Sequence, residues 1–154
     1  MATMNSVPFS AFNFAVEIVR ADASSPLVSA AFSECDGLEM GMEIKTIREG
    51  GANDRQIRFA GPATVGQLTL KRGMTDASFD LWKWMSDSIA DPSLRAEAEV
   101  VLISSDGASE RARFVLSRCL PIKLKAPTLS GKDGAIAVEE LQIAYERISV
   151  KPGK

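Results

Sequence analysis

Apolar and polar side chains alternate with a two-residue period along most of this chain, and only one short segment carries the 3.6-residue period of a helix. That pattern calls for strands. Phe12, Phe14, Val16 and Ile18 alternate with Asn13, Ala15, Glu17 and Val19. After a turn over 21–26 the alternation resumes at Ala30 and Phe32 and pauses at Asp36-Gly37. It then sets Leu38, Met40, Met42 and Ile44 against Glu39, Gly41, Glu43 and Lys45, one dry face and one wet. The phase is lost at Thr46-Ile47, and the polar, glycine-bearing run over 48–55 predicts a projecting loop or hairpin tip. Apolar residues return at Ile57 and Phe59, Gly61-Pro62 predicts a turn, and 65–72 predicts a further strand.

The helical segment is 77–90, capped by Thr75 or Asp76 and ended by Asp91-Pro92. Its expected core face is Phe79, Trp82, Met85 and Ile89, with Trp84 at a margin. Strands are expected over 95–104 and 110–118, joined by a turn at Ser105-Asp106-Gly107, and over 135–150, with a bulge near Glu139-Glu140 where the apolar phase switches. A separate edge strand is expected within 120–129, and a flexible tail over 151–154. The 154 residues suit one mainly β domain with one flanking helix, large enough to bury a core without disulfides or a structural metal.

The chain has no histidine, which removes histidine general bases, Ser-His-Asp and Cys-His nucleophile systems and most zinc and haem sites. Cys35 and Cys119 are far apart and outside any CxxC, so they read as reduced, inert thiols. Neighbouring carboxylates Glu139 and Glu140 point to opposite faces of a strand and cannot share a substrate atom. Gly50-Gly51 has no phosphate-binding motif around it. No catalytic, cofactor or metal residues are expected. Eighteen basic against 20 acidic residues give a net charge of -2, no electrostatic case for nucleic acid or anionic membrane, so the expected partner is protein. The N-terminal MATMNSVPFSAFNF lacks a basic start followed by a long apolar run, so assembly in the cytoplasm without a signal peptide is expected. Long strands end at edges that must be paired, covered or blunted, and pairing with further copies of the chain is one solution, closing into a ring when the rotation allows. A monomeric β-barrel module for a small ligand is the alternative.

Four stretches, FNFAVEI, FSECDGLEMGMEIKTIREGG, LTLKRGMTDASFDLWKWM and AIAVEELQIAYERI, together resemble the phage T4-type tail tube proteins and the inner-tube proteins of extracellular contractile injection systems. The resemblance implies two packed antiparallel β-sheets forming a barrel-like sandwich with one helix, related to the haemolysin-coregulated protein of type VI secretion. It implies hexameric rings stacked into a hollow tube within a sheath, with baseplate and cap proteins as partners, protein cargo in the lumen, and DNA only in a phage tail. The working place would be a phage tail or an extracellular or intracellular contractile particle. The family's hairpin arm corresponds to 45–59, making Arg48, Glu49, Asn53, Asp54 and Arg55 candidates for contacts between rings or subunits. Glu39, Glu43 and Lys45 are candidates for a polar lumen or outer face. Six copies giving four strands each would set roughly 24 strands at about 4.8 Å, a bore of roughly 37 Å between backbones before tilt.

Overall fold

The computed structural model describes residues 8–30, 32–48, 50–51, 55–132, 134 and 136–153, with 28–30 described by backbone alone. In chain order the described elements are β1 (Phe14–Arg20), β2 (Val28–Ala30), β3 (Glu34–Asp36), β4 (Met40–Arg48), β5 (Gln56–Val65), β6 (Gln67–Gly73), α1 (Ser78–Ala90), β7 (Ala96–Ile103), β8 (Glu110–Lys125), β9 (Val138–Ala144) and β10 (Arg147–Pro152). Every pairing is antiparallel. One sheet runs β2-β1-β7-β8-β10 and the other β8-β9-β6-β3. The hairpin β4-β5 stands apart as a two-stranded sheet.

The alternation seen in the sequence puts Val16 and Ile18 of β1, Ala96, Ala98 and Val100 of β7, Leu68 and Leu70 of β6, and Leu141 and Ile143 of β9 into one buried cluster. Phe12 precedes β1 and is exposed, so the inward face of that strand is shorter than its apolar run. The two sheets share β8 rather than closing a barrel, which makes the body a sandwich. None of the helices among the described residues is long and apolar enough to cross a membrane.

β8 holds 16 residues where two strands were expected, 110–118 and one within 120–129. Its first part pairs β7 and β10, and its second part, from Leu120, pairs β9. Arg118, at φ 55, lies at the passage between them. Opposite it the β7 register steps from Ala98↔Leu116 to Ala96↔Cys119, so two β8 residues face one on β7. Such a bulge bends a strand and sharpens its twist, letting one strand serve both sheets. The sequence shows no glycine here to announce it.

The helix is found where expected but turned about its axis. Leu81, Trp84 and Ser88 are buried, Trp84 at 1% exposure, whereas Phe79 at 66%, Ile89 at 70% and Trp82 at 36% lie outside; Met85 is half-buried. The expected core face is therefore wrong in Phe79, Trp82 and Ile89, and the two tryptophans exchange roles. Leu81 and Trp84 pack in the core in this rotation, and polar contacts at both ends accompany it. At the helix start Ser78 Oγ donates to Glu139 Oε1 at 2.6 Å, and near its end Asp87 Oδ2 accepts from Arg20 Nη1 at 2.9 Å. The cap position is Ala77, without a side-chain cap bond, in place of Thr75 or Asp76.

Two expectations at the C-terminus also change. Glu139, Leu141, Ile143 and Tyr145 are all buried in one unbroken phase, so the bulge expected near Glu139-Glu140 is not there; the irregularity lies on β8 between Pro121 and Lys123. The expected flexible tail is structured through Gly153. Lys151 and Pro152 pair with Arg113 and Ala112, and the Gly153 N–H donates to the Arg111 carbonyl at 3.0 Å.

Candidate assembly interface

The β4-β5 arm begins earlier and ends later than the expected 45–59, running from Met40 to Val65. Nine residues of β4 give it a reach of about 30 Å. Gly61-Pro62 is not the expected turn but a bulge inside β5, where the register passes from Met42↔Ala63 to Ile44↔Ala60. Gly61 is required there, because a Cβ would stand 2.8 Å from the Glu43 carbonyl oxygen. The expected dry face is not dry in the single chain: Met40, Met42 and Ile44 of β4 are exposed and Leu38 is half-buried, and Ile47, beyond the phase break, and Phe59 of β5 are exposed as well. An isolated two-stranded hairpin is marginal in water, so this arm has apolar surface left for something else to cover.

Tyr145 anchors the arm's base, a role that side-chain periodicity does not signal. Its buried ring follows β9 in the core, and its hydroxyl donates to the Gly37 carbonyl at 2.7 Å and accepts the Glu39 N–H at 3.1 Å. Gly37, at φ 96, lets the chain lie close against the start of β6; a Cβ there would fall 1.8 Å from the Gln67 carbonyl oxygen. A run of residues in the sequence marks a turn at Asp36-Gly37, but only the folded chain brings Tyr145 to it.

Of the residues expected to make contacts between subunits or rings, Arg48 and Arg55 are exposed at the outer end of the arm. Glu49, Asn53 and Asp54 lie outside the described residues. Glu39, Glu43 and Lys45 are exposed along the first strand of the arm or just before it. Lys45, Arg48, Arg55 and Arg58 have no ion-pair partner among the described residues.

An open groove of about 690 Å³ runs between the arm's base and the outer side of the first sheet, with Met40, Met42, Ala63 and Val65 on one wall and Val115 and Ser117 on the other. Strand margins are open as well. β10 pairs only β8, and β3 only β6, within the described chain. Burial pushes the thiol of Cys119 up to about 12 and that of Cys35 up to about 11, so neither is a ready nucleophile. No cluster of three or more metal-ligating side chains occurs among the described residues.

The model of the family described as T4-like virus tail tube protein gp19 matches residues 10–149. Among curated protein sequences nothing matches. The fold is similar to a chain of the cryo-EM structure of the anti-feeding prophage (AFP) baseplate, with 23% identity, coverage of 96% of this chain and 98% of that one, and a TM-score of 0.84. A chain of the PVC sheath-tube complex of an extracellular contractile injection system, in its extended state, gives 20% identity, coverage of 96% and 93%, and a TM-score of 0.79. Hcp1 from Flavobacterium johnsoniae gives 14% identity, coverage of 90% and 96%, and a TM-score of 0.51. These identities speak for the fold; the family match extends over nearly the whole chain, and the protein belongs to the T4-like virus tail tube protein gp19 family.

Proposed function

We propose that this chain is the structural subunit of an inner tube, in a contractile injection system or phage tail, and assembles as hexameric rings stacked into a hollow conduit. The observation that carries this is the arm: a long two-stranded sheet with apolar side chains exposed, joined to a body whose outer strands have free margins. Both are liabilities in a lone molecule and both are resolved by a second copy. No chemical step is part of this role. Sheath, baseplate and cap proteins would meet the tube from outside and at its ends, and protein cargo, or DNA in a phage, would pass within. Arg48 and Arg55 at the arm's outer end, with Glu49, Asn53 and Asp54, would set register between copies; Glu39, Glu43 and Lys45 would line a polar surface.

Against a small-ligand barrel stands the interior itself, filled by Trp84, Leu116, Ile143 and their neighbours. Native mass spectrometry and electron microscopy of the purified chain test the assignment. Rings or tubes are expected, and a chain with the arm cut back to a short turn should keep its β circular dichroism and stay monomeric. A full-length chain that remains monomeric at high concentration, and also fails to join sheath and baseplate proteins, overturns it.

A further inference from the structure

The arm is nearly detached from the body that carries it. β4 and β5 pack extensively on each other and on no other described element, and none of the ion pairs among the described residues joins 40–65 to the rest of the chain. A lever of about 30 Å held in this way swings unless its base is fixed. Its angle is therefore decided at the base, over Gly37, Leu38 and Glu39 where the chain enters the arm and Gly66 where it leaves.

These crossings converge on one phenol. The Gly66 N–H donates to the Glu39 carbonyl at 3.2 Å, and a Cβ on Gly66 would stand 2.7 Å from the Gly37 carbonyl oxygen, so entering and leaving segments touch. The Tyr145 hydroxyl lies 2.7 Å from the Gly37 carbonyl oxygen and 3.0 Å from that of Glu39, and it accepts the Glu39 N–H at 3.1 Å. Its one proton serves either carbonyl, so the phenol stays bonded to the entering segment whichever it takes. Tyr145 is itself firmly held. Its ring is buried, and it stands in the two-residue link between β9 and β10, next to Glu146, whose N–H donates to the Ser117 carbonyl of β8 at 3.0 Å. One side chain thus joins the arm to the seam at which the two sheets share β8. Beside that seam lies the open groove of about 690 Å³, across which Met40, Met42, Ala63 and Val65 look at Val115 of β8 and Ser149 of β10. Swinging the arm into this space would take those apolar side chains out of water. It would also draw Glu39 away from the phenol.

We propose that the Tyr145 hydroxyl is a lock on a hinge: it holds the arm raised with the groove open, and a chain without it folds the arm down over Val115 and Ser149, hiding Met40 and Met42. The lock lies within one chain and needs no second copy, so it goes beyond the tube-subunit reading. Within that reading it keeps the apolar face of the arm presented before a partner arrives, which lowers the ordering cost of association. Phenylalanine at this position fills the same core space and lacks only the oxygen, so packing and locking by Tyr145 can be separated.

The test uses full-length monomer at low concentration, with Cys35→Ser and spin labels placed through Arg48→Cys on the arm and Val150→Cys on β10, both exposed positions. Pulsed electron paramagnetic resonance is expected to give one narrow distance while Tyr145 is in place. Tyr145→Phe should add a shorter, closed population, raising the ratio of closed to open about fivefold, as loss of one net hydrogen bond does. Adding Met42→Ser takes apolar surface off the closing face and should shrink that population again. Assembly of the unlabelled Tyr145→Phe chain should need correspondingly more protein, since only open arms associate. An unchanged narrow distance in Tyr145→Phe overturns the lock, and a distribution that broadens without a shorter distance overturns the closed state. Should Tyr145→Phe fail to fold, amide exchange in the unaltered chain decides: the Glu39 N–H is expected to exchange far more slowly than those of Arg48 and Gln56, and equal rates overturn the lock. Because the distances are read in single chains, absence of rings from the unaltered protein would sink the tube role and leave the lock standing.

Discussion

Glu139 and Arg72 meet across β9 and β6, both buried, with Nε donating to Oε1 at 2.8 Å. Ser78 donates to the same carboxylate oxygen, and the Arg72 guanidinium lies 5.1 Å from the centre of the Phe32 ring. One carboxylate thus ties the helix start to the second sheet, inside a low-dielectric interior where losing a partner is expensive. Arg72 Nη2 and Glu139 Oε2 have no hydrogen-bond partner among the described residues, so the pair is held at a desolvation cost. Glu139→Leu alone is expected to lower stability by about 3–5 kcal/mol in urea unfolding, because it leaves a buried guanidinium unpaired. Arg72→Met with Glu139→Leu should recover most of that loss. A single variant as stable as the parent would mean that water reaches the site. The sequence shows Glu139 beside Glu140 on a strand; Glu139 shares the inward phase of Leu141, Ile143 and Tyr145, and the fold brings Arg72 and Ser78 to meet it there.

At the scale of elements, β8 shows how one local conformation sets the architecture. Arg118 sits in the left-handed region, where a side chain with a Cβ is disfavoured by about 1–2 kcal/mol, and its guanidinium pairs with exposed Glu146 at 2.8 Å. Arg118→Gly removes the backbone penalty and a weak surface ion pair together, so thermal melts should show little change or a small gain. Arg118→Val, β-branched, is expected to lose about 1–3 kcal/mol and to loosen the junction of the two sheets, visible as faster amide exchange on both sides of the bend. Equal stabilities for the two variants would show that the bend is imposed from elsewhere. The same contest between local signal and tertiary packing turned α1. Two apolar stripes share its sequence, one at 79, 82 and 89 and one at 81 and 84, and a 3.6-residue period reports both without ranking them.

Across the whole molecule the thiols make stability depend on pH at the alkaline end. Cys119 is fully buried, and burial raises its folded value from 9.0 to about 12, with nearby Glu97 adding to the shift. Below pH 9 both folded and unfolded chains hold the proton and the thiol adds no slope. Between 9 and about 12 the unfolded chain has released it while the folded chain retains it, so stability falls as pH rises through that window. Cys119→Ala should flatten the fall measured by melts from pH 8.5 to 11, at some loss of stability from the cavity it leaves. An unchanged slope would place its origin in other groups.

Periodicity in the amino-acid sequence established a mainly β chain with one helix and the turn at 105–107, because side-chain alternation is a property of each strand by itself. The missing histidines likewise exclude chemistry whatever the fold. Tertiary structure alone decided which face of α1 is inside, that β8 serves two sheets, that Tyr145 grips Gly37 and Glu39, and that the apolar side chains of Met40, Met42 and Phe59 remain in the open. Those outcomes depend on which distant segments meet. A hydrophobic pattern states that a face is to be buried; it is silent on whether the covering surface belongs to the same chain or to another.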